Sequence, residues 1–79
     1  MLERMRRDAE TYPIVIEAVP AEEGGGYMAL VPDLPGCMAD GETREEAARS
    51  VAGAIAAWID EATVLGRPVP APSRHLEVA

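Results

Sequence analysis

Between Thr43 and Gly66 runs the one long helical pattern of this 79-residue chain, and nothing else in the sequence limits the fold as strongly. Thr43-Arg44-Glu45-Glu46 is a capping box. The Thr43 hydroxyl can accept the amide of Glu46, and the Glu46 carboxylate can reach back. Both acids also suit the positive end of a helix. At about 100° per residue, Ala47, Ala48, Val51, Ala52, Ile55, Trp58, Ile59, Ala62 and Leu65 share one broad face. Glu46, Ser50, Gly53, Ala57 and Asp60 fall opposite. Gly66 suits the position after a helix end, and Pro68 prevents continuation. The helix is therefore expected from about Arg44 to Leu65.

The apolar face of that helix needs a partner, and the preceding segment supplies a sheet. Residues 13–19 (PIVIEAV) are rich in β-branched side chains and lie between Pro13 and Pro20, which marks a strand. A loop ending in Gly24-Gly25-Gly26 leads to a second apolar run, Tyr27 to Val31. Pro35-Gly36 fits the centre of a type II turn, where the second central residue takes positive φ. Cys37 to Asp40 then reads as a short third strand. Pro68, Pro70 and Pro72 alternate in an extended tail, and Arg74 to Ala79 can add a fourth strand or hang free. Leu2, Met5 and Ala9 are spaced for a short helix within residues 1–12. The fold class is α+β: a small antiparallel sheet of three to four strands with one long helix on one face, in the order β-β-β-α(-β). The whole chain, 1–79, is read as one domain, with an extension at 1–12, a core at 13–66 and a proline-rich tail at 67–79.

Strand alternation exposes a conflict. Ile14, Ile16 and Ala18 point one way, and Val15, Glu17 and Val19 the other. Tyr27, Ala29 and Val31 likewise oppose Met28 and Leu30. Both sheet faces carry apolar groups, but one helix covers one face. The second face is then an interaction patch, and the simplest expectation is a two-fold dimer.

Composition narrows the function. Acids number 14 against 7 arginines, a net charge of −7, and Lys, Asn, Gln and Phe are absent. The missing amides match a thermophile or a GC-rich genome. An acidic chain has no electrostatic drive toward nucleic acid, so no DNA binding is expected, while a basic protein is a fitting partner. The single Cys37 excludes an internal disulfide and a four-cysteine zinc site. No apolar run reaches the roughly 18 residues of a membrane span, and no signal peptide is evident. The expectation is a cytoplasmic protein with no membrane contact.

Taken together, PIVIEA, the glycine-rich turn, GYMALVPDLPGC, a short acidic strand, GETREEAARSVAGAIAAWI and GRPVPAPS resemble the HicB-like antitoxin family. These are the antitoxin side of HicA–HicB toxin–antitoxin pairs, and the likeness spans about residues 12–73. The resemblance implies a partial ribonuclease-H-like fold that blocks a small basic toxin, an mRNA endoribonuclease of double-stranded-RNA-binding fold. Longer members continue into a helix-turn-helix or ribbon-helix-helix that binds operator DNA; no basic helix follows Pro72 here, so autoregulation is not expected.

Catalysis finds little support. A two-metal nuclease needs clustered carboxylates. Of Glu17, Asp33, Asp40, Glu42, Glu45 and Glu46, the last two serve the cap and Asp33 serves a turn, which leaves Glu17 in mid-strand. His75 lies in the tail, and Cys37 reads as a small buried hydrophobe. The glycine run precedes a strand and carries no Lys, unlike a phosphate cradle. No catalytic residue, metal site or cofactor is assigned.

The leading reading is a non-enzymatic antitoxin-like module that occludes a basic HicA-like toxin. Glu22, Glu23, Asp33, Asp40, Glu42 and Glu45 are the expected partner-binding acids, which would compete with RNA for the toxin surface. Val15, Val19 and Tyr27 are the expected apolar face for an oligomer or partner. The alternatives are an orphan homo-oligomeric domain, structural or ligand-binding, and, less favoured, a residual metal-dependent nuclease.

Overall fold

The computed structural model describes residues 11–73. Three short strands form one antiparallel sheet in sequence order: β1 (Val15–Ala18), β2 (Tyr27–Leu30) and β3 (Met38–Gly41). One helix follows, α1 (Arg44–Val64). The α+β class and the β-β-β-α order are those expected. The short helix expected within 1–12, all but its last two residues, lies outside the described residues. So do the strand expected at Arg74 to Ala79 and His75. Residues 67–73 contain no strand.

The helix ends behave as the local sequence dictates. The Glu46 N–H donates to Thr43 Oγ1 at 3.0 Å. The Glu46 carboxylate reaches one residue further back than a standard capping box, accepting from the Glu42 N–H at 2.6 Å. At the far end Gly66 N–H donates to Thr63 O and Arg67 N–H to Ala62 O, the bond pair of a Schellman motif. Ala47, Val51, Ile55 and Ala62 are buried, while Glu46, Ser50, Gly53, Ala57 and Asp60 are exposed. Leu65 departs from the expected face: it caps the helix at 54% exposure.

The link between β2 and β3 is a double turn. Leu34 N–H donates to Val31 O and Cys37 N–H to Leu34 O. Gly36 takes φ +79° after Pro35, which makes the second turn the expected type II. Leu34 sits between the two turns with no exposed surface. It joins Tyr12, Ala29, Val31, Cys37, Ala47, Val51 and Ile55 in the core. Cys37 is buried, and that burial pushes its thiol pKa up.

Register settles which face the helix covers. Ile16 pairs with Ala29 and Ala29 with Ala39, while Ala18 pairs with Tyr27 and Tyr27 with Gly41. Ile14, Ile16, Tyr27 and Ala39 pack against the core with Trp58 and Ile59 of α1. Tyr27 therefore lies on the helix side and not beside Val15 and Val19, where it was expected. The eight-residue glycine-rich link between β1 and β2 leaves register free at the sequence level, and pairing alone decides the side.

The proline-rich tail is pinned. The Tyr12 hydroxyl donates to Pro70 O, while Trp58 Nε1–H ties α1 to the double turn by donating to Pro35 O at 2.9 Å. Ser73 donates its N–H to Asp33 Oδ2 and its hydroxyl to Asp33 Oδ1, each at 2.7 Å. Residues 67–73 thus run back past the double turn instead of extending away from it.

Candidate protein-docking surface

The six expected acids separate into two places. Glu22 and Glu23 project from a 3₁₀ turn, Ala21–Glu23, inside the β1–β2 loop. That turn is held by Glu23 N–H to Pro20 O, Gly24 N–H to Ala21 O and Gly25 N–H to Pro20 O. Directly beyond it, Gly24, Gly25 and Gly26 line one open cleft with Asp40, Glu42 and Glu46. Glu22, Glu23, Asp40, Glu42 and Glu45 are all exposed and gather at this end of the sheet. Asp33 is the exception. It is half-buried at the opposite end, with both carboxylate oxygens accepting from Ser73, so it is a structural anchor.

The cleft beside the helix start is unsuited to phosphate. Its glycines and helix N-terminus could attract an anion, but three carboxylates line it. Arg44, the nearest cation in sequence, is drawn over the Tyr27 ring at 5.5 Å from the centroid.

The sheet face away from the helix carries two parallel rows. Val15, Leu30 and Met38 are cross-strand partners and form an apolar row. Glu17, Met28 and Asp40 form the next row, an apolar centre between two carboxylates. Alternation adds Val19, half-buried, at the loop side. Val15 is 43% and Met38 49% exposed. Of the expected apolar trio, Val15 and Val19 belong to this face. Sequence reasoning missed Leu30, Met28 and Met38 as its other members. The alternation of β2 and β3 contained that signal, but register was needed to align the rows.

Little here favours catalysis. Glu17 and Asp40 stand two strand spacings apart, about 9–10 Å between backbones. No group of three or more His, Cys, Asp or Glu among the described residues is placed to hold a metal. No helix among them is long and apolar enough to cross a membrane. Among the described residues, fold and surface define a small α+β protein with one helix-covered sheet face, one open face and an acid-rimmed end.

Comparison with known proteins gives that class a family. Residues 12–79 match the model of the HicB-like antitoxin of bacterial toxin–antitoxin systems, and the chain belongs to this family. Two UPF0150 proteins of Synechocystis are similar. One is 38% identical over 86% of this chain and 86% of its own length. The other is 37% identical over 75% and 71%. A UPF0150 protein of Thermoplasma acidophilum is 35% identical over 66% of this chain and 75% of its own length. No solved structure gives a significant match.

Proposed function

We propose that the chain acts without catalysis, as an antitoxin that neutralises a basic HicA-type mRNA endoribonuclease by covering the surface that binds RNA. The observation that carries this reading is the acidic end. In a chain of the HicB-like family, five exposed carboxylates from the hairpin loop, β3 and the helix start converge there. Residues 11–73 hold ten acids against three arginines. Such a field attracts a basic protein, speeds encounter and repels nucleic acid. The reading places the protein in the cytoplasm, where an mRNA-cutting partner works, and assigns DNA binding to none of these residues.

The test uses the product of the open reading frame adjacent to this chain's gene, which the reading requires to be a HicA-type toxin. Stoichiometric antitoxin is expected to abolish cleavage of labelled RNA. Association should slow at least tenfold between 50 and 500 mM salt, because screening shortens the field from over 10 Å to a few ångström. Replacing Glu22, Glu23, Glu42 and Glu45 together by Gln should give a similar loss at low salt. Undiminished cleavage at a twofold excess of antitoxin overturns the reading.

A second reading, the orphan homo-oligomer, draws on the exposure of Val15 and Met38. It predicts a dimer mass in sedimentation equilibrium at micromolar concentration, lost in Val15→Glu. A monomer mass at both 50 and 500 mM salt eliminates it.

A further inference from the structure

We infer that the open sheet face, and not the helix, is the seat of a basic protein partner, and that it takes an apolar ridge lying beside a basic stripe. This rests on the antitoxin reading and specifies its contact surface. The rows make the demand. Val15, Leu30 and Met38 run side by side across all three strands, and Glu17, Met28 and Asp40 run parallel to them. The rows lie two residues apart along each strand, about 7 Å. A partner that buries apolar side chains over the first row thus brings cations over Glu17 and Asp40 if they follow at that spacing.

Position adds a direction. The carboxylate row lies on the side of the β1–β2 loop, next to the acidic end. The apolar row lies on the side of the Pro32–Gly36 turn. Acidic surface therefore continues from Glu22, Glu23 and Glu42 onto the sheet through Glu17 and Asp40, and ends at an apolar strip. None of Arg44, Arg49 and Arg67 lies on this face: two belong to α1 and one follows it.

Charge also selects the occupant. A second copy laid on the face by a two-fold axis parallel to the strands would set the carboxylate rows against each other, and in any orientation it brings a second net charge of −7 to an acidic surface. The face itself presents seven side chains, Val15, Glu17, Val19, Met28, Leu30, Met38 and Asp40. A stable complex engages about 20–30 residues a side. The contiguous acidic end enlarges the contact for a basic partner and opposes it for an acidic copy.

The experiment measures binding of the purified HicA-type toxin by calorimetry and stopped flow. Met38→Glu and Val15→Glu are each expected to weaken binding about 30-fold, mainly through faster dissociation, as loss of an apolar anchor does. Glu17→Arg with Asp40→Arg should slow association at least tenfold and flatten its salt dependence. Val64→Glu and Glu61→Arg, on the exposed back of α1, should leave binding unchanged. Val15 and Met38 are exposed, so circular dichroism should show the variants folded. Weakening by the α1 variants but not by the face variants overturns the inference while the antitoxin reading stands. A wild-type dimer that Met38→Glu dissociates with toxin affinity intact assigns the face to a second copy and also overturns it. If the wild type neither binds nor inhibits the toxin, both fall.

Discussion

Gly41→Ala is expected to unfold this protein at temperatures where the wild type is native. Gly41 ends β3 and pairs with Tyr27, so a side chain there would point at the helix. A Cβ would lie 2.4 Å from Ala47 N and 2.8 Å from Glu46 C. Both are backbone atoms of the first turn of α1, held by the Thr43 cap, and they cannot swing aside as a flexible side chain would. The strand can meet the helix through two residues, Glu42 and Thr43, because nothing fills that space. Overpacking a tight site commonly costs about 1–3 kcal/mol and occasionally more; a collision with fixed backbone belongs at or above the upper end. In a fold of roughly 5–15 kcal/mol total stability, that is a drop in melting temperature of more than about 10 °C. Gly53→Ala is the control. Position 53 is on the exposed face of α1 with nothing near its missing Cβ. Alanine there should stabilise by about 0.5–1 kcal/mol, because helix interiors disfavour glycine. Equal effects from the two alanines would show that the helix does not rest on Gly41.

Leu34→Ala should cost about 2–5 kcal/mol, the usual range for emptying a fully buried leucine site. Leu34 has no exposed surface although polar and turn-forming residues flank it. It anchors the double turn whose Pro35 carbonyl accepts from Trp58. The cavity cannot collapse easily, because Pro35 and the Gly36 turn hold the backbone on one side. Trp58 is the single tryptophan of the chain, and its indole touches the turn, so urea unfolding followed by its fluorescence reports the change directly. The midpoint should fall sharply with little change in slope. A midpoint unchanged within error would mean that Leu34 is not part of the cooperative core.

Much of the fold is legible along the chain. The Thr43 cap, the helix span, the Gly66 end and the Pro35-Gly36 turn follow from contacts between residues two to five apart. The buried and exposed sides of α1 follow from periodicity almost residue by residue. The docking surface is less legible. Alternation within β1 set Val15 apart from Ile16, yet it could not place Tyr27, whose face depends on pairing with Ala18 across an eight-residue link. Asp33 read as one more surface acid, since nothing near it in sequence announces Ser73, forty residues on. Leu34 stands between Asp33 and the Pro35-Gly36 turn, where burial is uncommon.

The strand and helix segments, their caps, the excess of negative charge and the need for one uncovered sheet face are therefore set locally along the chain. These depend on local bonding, side-chain period and composition. Long-range packing sets which residues line that face, that the acids of loop and helix meet at one end, that Gly41 meets the first turn of α1 with no room for a side chain, and that the tail is tied to Asp33. Each of these rests on contacts between distant residues. Their geometry is set by strand register and by how closely the helix can approach the sheet, and neither quantity is written in any local stretch of the chain.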